Sequence, residues 1–207
     1  YRKLSMDLSM LTLQFDQNAL KDKNRFELLI TDENELSGLP ESARDAAAML
    51  AKSKDKNGWL FNLSAPSYIP FMRYSDKRDL REKMYREYMS VGNKGDEFDN
   101  KDIIKKIVNI RLEIAQLMGF KNYAEYALEH TMAKNSANVY KLLNQLLEAY
   151  KPIAINEYNA VEGFALGTEK ENITVMPWDW SYYSEKLRDI RFKVNDEMTR
   201  PYFELSN

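Results

Sequence analysis

The 207-residue sequence is 44% hydrophobic and 30% charged, an ordinary globular balance with room for one large domain or two small ones. Its net charge of −2 argues against the concentrated basic surface that nucleic-acid binding requires, and no apolar run approaches the roughly 20 residues that span a membrane. With no cysteine there are no disulfides or thiolate metal sites, and one histidine cannot supply the paired imidazoles of an H-E-x-x-H zinc helix.

Arg2 to Asp22 reads as a helix with Leu4, Leu8, Leu11 and Phe15 on one face. Phe26 to Ile30 (FELLI) is short, apolar and extended in pattern. Asp32 caps a single turn before Gly38-Leu39-Pro40 stops it, and Pro40 suits the start of an alanine-rich helix from Glu41. Asn57-Gly58 is a turn signal ahead of a second short apolar run, Trp59 to Leu63 (WLFNL), so the two runs can pair as an antiparallel ribbon. Pro66 to Tyr74 is aromatic and proline-rich. Ser75 or Asp76 caps the next helix, whose buried face is Leu80, Met84, Tyr88 and Val91 with the charges opposite; Asn93 to Asn100 is a loop.

The most strongly patterned stretch is Asp102 to Phe120. Ile103, Ile107, Ile110, Ile114 and Leu117 form one apolar row, and Ile104, Val108, Ala115 and Met118 a second beside it. Two rows predict a core helix with at least two neighbours, with Ile107 and Ile110 buried, capped by Asp99 or Asn100 and closed at Gly119. A short helix follows from about Tyr123, then a long one from Asn135 or Ser136 with Val139, Leu142, Leu143, Leu146, Leu147 and Tyr150 along one side. Pro152 should remove one of its hydrogen bonds and bend it. Asn172 to Met176 (NITVM) is a strand signal leading into Pro177-Trp178-Asp179-Trp180, and Ser181 opens another helix. Asn195 or Asp196 caps a final segment. The expected fold is mainly α, a helical bundle with a few short β-strands, treated as one unit over 1–207 with any internal boundary near 92–100. His130, in the polar setting EHTMAKN, is expected to be structural or solvent-exposed, and no G-x-S-x-G elbow presents a serine to it.

Five stretches, in order, resemble the thimet-oligopeptidase (M3) family of zinc peptidases. They are LSGLPESARDAAAMLA at 36–51, PSYIPFMRYSDKRDLREKMYREY at 66–88, LMGFKNYAEYAL at 117–128, VMPWDWSYYSEKLR at 175–188 and DEMTRPYFEL at 196–205. Within the family the similarity is nearest to the bacterial dipeptidyl carboxypeptidases and the related oligopeptidase A. The resemblance implies a larger clam-like helical enzyme whose channel admits short unfolded peptides, with a zinc ion held by an H-E-x-x-H helix; charge and hydropathy add the expectation of no nucleic-acid or membrane partner. That helix is missing here and, by the family's order, belongs beyond Asn207. The chain is therefore expected to be an internal, inactive fragment that carries no catalytic residue, no metal ligand and no zinc of its own. The lack of cysteine gives a cytoplasmic expectation that leaves the periplasm and secretion open.

Trp178, Asp179, Trp180, Tyr182 and Tyr183 are the candidates for lining the substrate channel. The bland reading, and the favoured one, is that the four rings anchor a strand-to-helix junction in the core and that Asp179 caps the helix beginning at Ser181. A rival class is a stand-alone helical interaction module that binds a partner helix or peptide through its aromatic and methionine-rich surface.

Overall fold

The computed structural model describes residues 1–168, 173–193 and 198. The chain is mainly helical, as its periodicity predicts. The order is α1 (Arg2–Arg25), β1 (Leu28–Ile30), a 3-10 turn (Glu33–Leu36), α2 (Glu41–Ser53), β2 (Trp59–Phe61), α3 (Ala65–Tyr74) and α4 (Arg78–Met89). Then come α5 (Lys101–Leu117), α6 (Tyr123–Leu128), α7 (Ser136–Thr168) and α8 (Pro177–Phe192). The two apolar runs pair antiparallel, Leu28 opposite Phe61 and Ile30 opposite Trp59. No described helix is long and apolar enough to cross a membrane.

The residues group into two compact units, one of Tyr1–Phe26 with Met89–Ile155, the other of Glu27–Tyr88 with Asn156–Asn207. In the first, α5 packs on α1 and meets α6 at its far end. Its buried side chains are polar as well as apolar. The Asn18 amide donates to Asn100 Oδ1 at 3.1 Å, and the Asn100 amide donates to the Phe15 carbonyl at 3.0 Å. Asp22, fully buried, accepts from the Gly92 N–H at 2.7 Å and pairs with Arg25 at 2.7 Å and Lys94 at 3.3 Å. Replacing Asp22 with alanine leaves the Gly92 N–H without its acceptor and takes away one of the anions that Arg25 and Lys94 face. A loss of about 2–3 kcal/mol is expected in chemical denaturation at pH 7, the usual range for a hydrogen bond to a charged group.

The wide stripe of α5 is only partly covered. Ile103, Ile114 and Ala115 are buried, whereas Ile107 and Ile110 are half-buried rather than buried as expected. The second row stands largely in the open, with Ile104, Val108 and Met118 exposed. Among the described residues α1 is the main element packed along α5, so the stripe is covered only in part, with Ala115 of the second row buried and Leu117 of the first exposed. Asn135 caps α7 by accepting from the Asn138 N–H at 2.9 Å. The helix runs unbroken through Pro152, but Leu142, Leu143, Leu146, Leu147 and Tyr150 on its apolar side are exposed.

The apolar core belongs to the second unit. Ile30, Leu60, Phe61, Leu63 and Phe71 are each at most 1% exposed, with the Phe61 and Phe71 rings edge to face at 4.8 Å. A second cluster joins Val161 and Ala165 of α7 to Tyr182 and Tyr183 of α8. The expected NITVM strand does not form: Asn172 lies outside the described residues, and Ile173 to Met176 are irregular. Ile173 and Val175 pack on the second cluster, and the Thr174 carbonyl is taken by the Arg78 side chain at 3.0 Å instead of by a strand partner. The expected cap at Asn195 or Asp196 also lies outside the described residues.

Candidate functional site

The chemistry of the second unit gathers where α8 begins. Proline tolerates the first helical position because its missing N–H is unpaired there anyway, so the helix starts at Pro177 and not at Ser181. Asp179 is thereby the third helical residue rather than the N-cap, and its carboxylate reaches back to the Met176 N–H at 3.1 Å. In the first turn a negative side chain is favoured by the helix dipole. It is fully buried, and two arginines of α4 meet it. Arg78 donates through Nη2 at 2.7 Å and through Nε at 3.1 Å, and Arg81 Nη2 donates at 2.8 Å. Burial pushes the Asp179 carboxyl upward, but the hydrogen bonds from Arg78, Arg81 and the Met176 N–H outweigh it and hold the group below its ordinary value.

Arg81 is 1% exposed, although its place in a charge-rich helix face suggested solvent. Its remaining donors reach the Ser75 carbonyl at 2.7 Å and the Trp178 carbonyl at 3.3 Å, and its guanidinium lies 4.0 Å from the centre of the Tyr182 ring. The Tyr182 hydroxyl donates to Asp76 Oδ1 at 2.7 Å, Ser37 donates to Oδ2 at 2.7 Å, and Lys186 lies 3.3 Å away. Burial and the bond to Asp76 raise the Tyr182 phenol. A continuous chain of polar contacts thus runs from Asp179 through Arg81 and Tyr182 to Asp76.

Asp76 opens on a cleft of about 520 Å³, within the usual size range of small-ligand pockets. The start of α2 supplies Pro40 and Ser42, α3 supplies Pro70, Arg73 and Tyr74, and α8 supplies Glu185, Lys186 and Asp189. Gly38 also lines it at φ +84°. A Cβ there would stand 2.1 Å from the Tyr74 carbonyl, so only glycine lets this loop run against the end of α3.

Of the five sequence candidates, Trp178, Asp179, Tyr182 and Tyr183 are buried and Trp180 is 37% exposed, stacked on Tyr158 with ring centres 5.8 Å apart. Sequence reasoning missed Arg78, Arg81, Asp76 and Glu185, because each meets a partner about a hundred residues away, Asp179 for the arginines, Tyr182 for Asp76 and Tyr74 for Glu185; the three-residue spacing of Arg78 and Arg81 was a local signal. The described residues do not suit zinc. No group of three or more His, Cys, Asp or Glu side chains is arranged to hold a metal, and the His130 side chain is 92% exposed beside Glu129.

Residues 71–207 match the model of peptidase family M3. Oligopeptidase A of Haemophilus influenzae is 40% identical over 98% of this chain and 30% of its own length. Probable cytosolic oligopeptidase A of Arabidopsis thaliana is 38% identical over 99% of the chain and 30% of its length. Dipeptidyl carboxypeptidase of Escherichia coli is 28% identical over 98% of the chain and 30% of its length. The chain thus spans about 30% of the length of these curated relatives.

Proposed function

Because the chain belongs to peptidase family M3, we propose that it is a non-catalytic helical segment of a zinc-dependent oligopeptidase of the oligopeptidase A or peptidyl-dipeptidase kind. Its role in this reading is to help wall the channel that admits short unfolded peptides. The observation that carries it is 38–40% identity to oligopeptidases over at least 98% of the chain. Trp180 is the channel candidate able to touch a peptide directly; Trp178, Asp179, Tyr182 and Tyr183 shape the wall from behind. Zinc and its activating glutamate belong, on this proposal, to parts of the enzyme outside these 207 residues. A cytoplasmic setting fits the lack of cysteine.

The test is a chimera in which this chain replaces the matching 30% of the Haemophilus influenzae oligopeptidase A. It should cleave a quenched fluorescent peptide in a chelator-sensitive way, while the chain alone binds no stoichiometric zinc and shows no turnover. A folded but inactive chimera, or turnover by the chain alone that a chelator abolishes, would overturn the proposal. A second reading, a helical interaction module, is favoured by the exposed row Leu142, Leu143, Leu146, Leu147 and Tyr150 on α7. It requires saturable binding of an amphipathic helical peptide along that row, which amide shifts in α7 would report.

A further inference from the structure

The turn between α2 and β2 holds the chain's single Asn-Gly pair, Asn57-Gly58. Asparagine is a thermolabile side chain, because its amide carbon can be attacked by the backbone nitrogen of the next residue. An attack within the chain needs no diffusion, so its rate in a folded protein depends on whether the two atoms are free to meet. Here they are. Asn57 is exposed and outside every described helix and strand, and among the described residues its side chain takes part in no hydrogen bond. The Gly58 N–H likewise donates to no described group, because the paired ladder begins at Trp59. Gly58 has no Cβ to screen its nitrogen.

Asn135-Ser136 supplies an internal contrast. A small residue again follows the asparagine, but Asn135 Oδ1 accepts from the Asn138 N–H at 2.9 Å and the Asn135 N–H donates to the Ala133 carbonyl at 2.8 Å. A side chain pinned as a helix cap is not free to turn onto the next nitrogen.

We infer that Asn57 is a site of spontaneous covalent modification, where attack by its own successor turns the asparagine into isoaspartate. The Gly58 nitrogen gives up its proton and bonds to Asn57 Cγ, the Cγ–Nδ2 bond breaks, and the amide nitrogen leaves as ammonia with that proton. Water then opens the resulting cyclic imide. Opening at the side-chain carbonyl gives aspartate; opening at the main-chain carbonyl gives isoaspartate, whose backbone runs through Cβ and Cγ. The balance is one water in and one ammonia out, with nothing oxidised or reduced.

The position gives the product its effect. Isoaspartate adds one atom to the main chain directly before Gly58, where a Cβ would already stand 2.3 Å from the Ile30 carbonyl. Trp59 follows at once and pairs with Ile30 in a ribbon three residues long, whose Ile30, Leu60 and Phe61 are each 1% exposed. A longer connection at this corner shifts the register that holds them in the core. The new carboxylate also follows Lys56, which with Lys54 pairs with Glu27.

The whole chain is incubated in neutral buffer, folded or in guanidinium, and mapped by mass spectrometry with fragmentation that separates isoaspartate from aspartate. In the folded chain Asn57 should convert at least about tenfold faster than Asn135, a barrier difference of about 1.4 kcal/mol or more. Its folded rate should stay within about tenfold of its rate in guanidinium, whereas folding should slow Asn135 by more than that. Asn57→Gln, an exposed change, should stop conversion at this position and leave the circular dichroism of the fresh protein unaltered. The amide signals of Ile30 and Trp59 should move in the aged parent but not in aged Asn57→Gln. Fresh Asn57→Asp, which adds the charge without the extra atom, should leave them in place. An Asn57 that stays intact when folded, or that converts no faster than Asn135, would overturn the inference. So would ribbon signals that move as far in fresh Asn57→Asp as in the aged parent.

Discussion

Arg81→Met should lower the stability of the protein by about 3–5 kcal/mol, because it leaves the fully buried Asp179 carboxylate with Arg78 as its remaining side-chain partner. The substitution keeps the volume of the side chain, so packing over Tyr182 is largely retained and the loss is one of charge and hydrogen bonding. Two carbonyl acceptors, on Ser75 and Trp178, lose their donor in the same step. Urea denaturation at pH 7 measures the size; a loss below about 1 kcal/mol would mean that Asp179 is well solvated. A double variant with Asp179→Leu should lie closer to the parent than Arg81→Met does, since removing both members of a buried pair strands no buried anion.

The same pair sets an acid limit. The folded Asp179 carboxyl titrates below its ordinary value of about 4, so its contribution is fully present above that value and is lost as the pH falls through the lower, folded one. Arg81→Met removes one of the interactions holding the carboxyl down. Its acid unfolding, followed by circular dichroism, should therefore begin at a higher pH than that of the parent.

Phe71→Ala should cost about 3–5 kcal/mol, combining lost transfer energy with the cavity left under α3. The ring is fully buried and packs edge to face on Phe61, which is itself 1% exposed and held in β2, so the surroundings have little freedom to collapse. Ile110→Ala in α5 should cost distinctly less, because the isoleucine is only half-buried and water can take up part of the removed volume. Thermal and chemical denaturation of the two variants side by side would check the order; the reverse order would place the core in the wrong unit.

The difference between those two positions shows how far the sequence could be read. The elements themselves were legible, because apolar residues at steps of three and four define α5 and a turn signal at Asn57-Gly58 separates two apolar runs that pair as β1 and β2. Which row of a two-row helix is covered is not a local property, so the burial of Ile107 and Ile110 was misjudged. At Ile173 to Met176 β-branched residues suggested a strand, but a strand needs a neighbour, and the described sheet consists of β1 and β2 while the Thr174 carbonyl is taken by Arg78. In the candidate site the aromatic positions at the start of α8 were legible as anchors. The cluster of Arg78, Arg81, Asp76 and Glu185 was not, because helix periodicity assigns charged residues to water unless their distant partners are known.

The distance between those partners has a kinetic consequence. The bond from Arg78 to Asp179 joins residues 101 positions apart, and the second unit is built from two segments with most of the first unit between them. At a synthesis rate of 5–20 residues per second, Asp179 follows Arg78 out of the ribosome by about 5–20 s. During that interval Arg81, destined for burial, has no carboxylate partner from Asp179, and the residues through Ile155, which complete the first unit, are made before Asp179 is. Closing so long a loop costs conformational entropy before any contact repays it. Docking of α8 on α3 is thus a late event in folding, and the apolar surface of α3 that receives it stays open to chaperones and to misassociation until then.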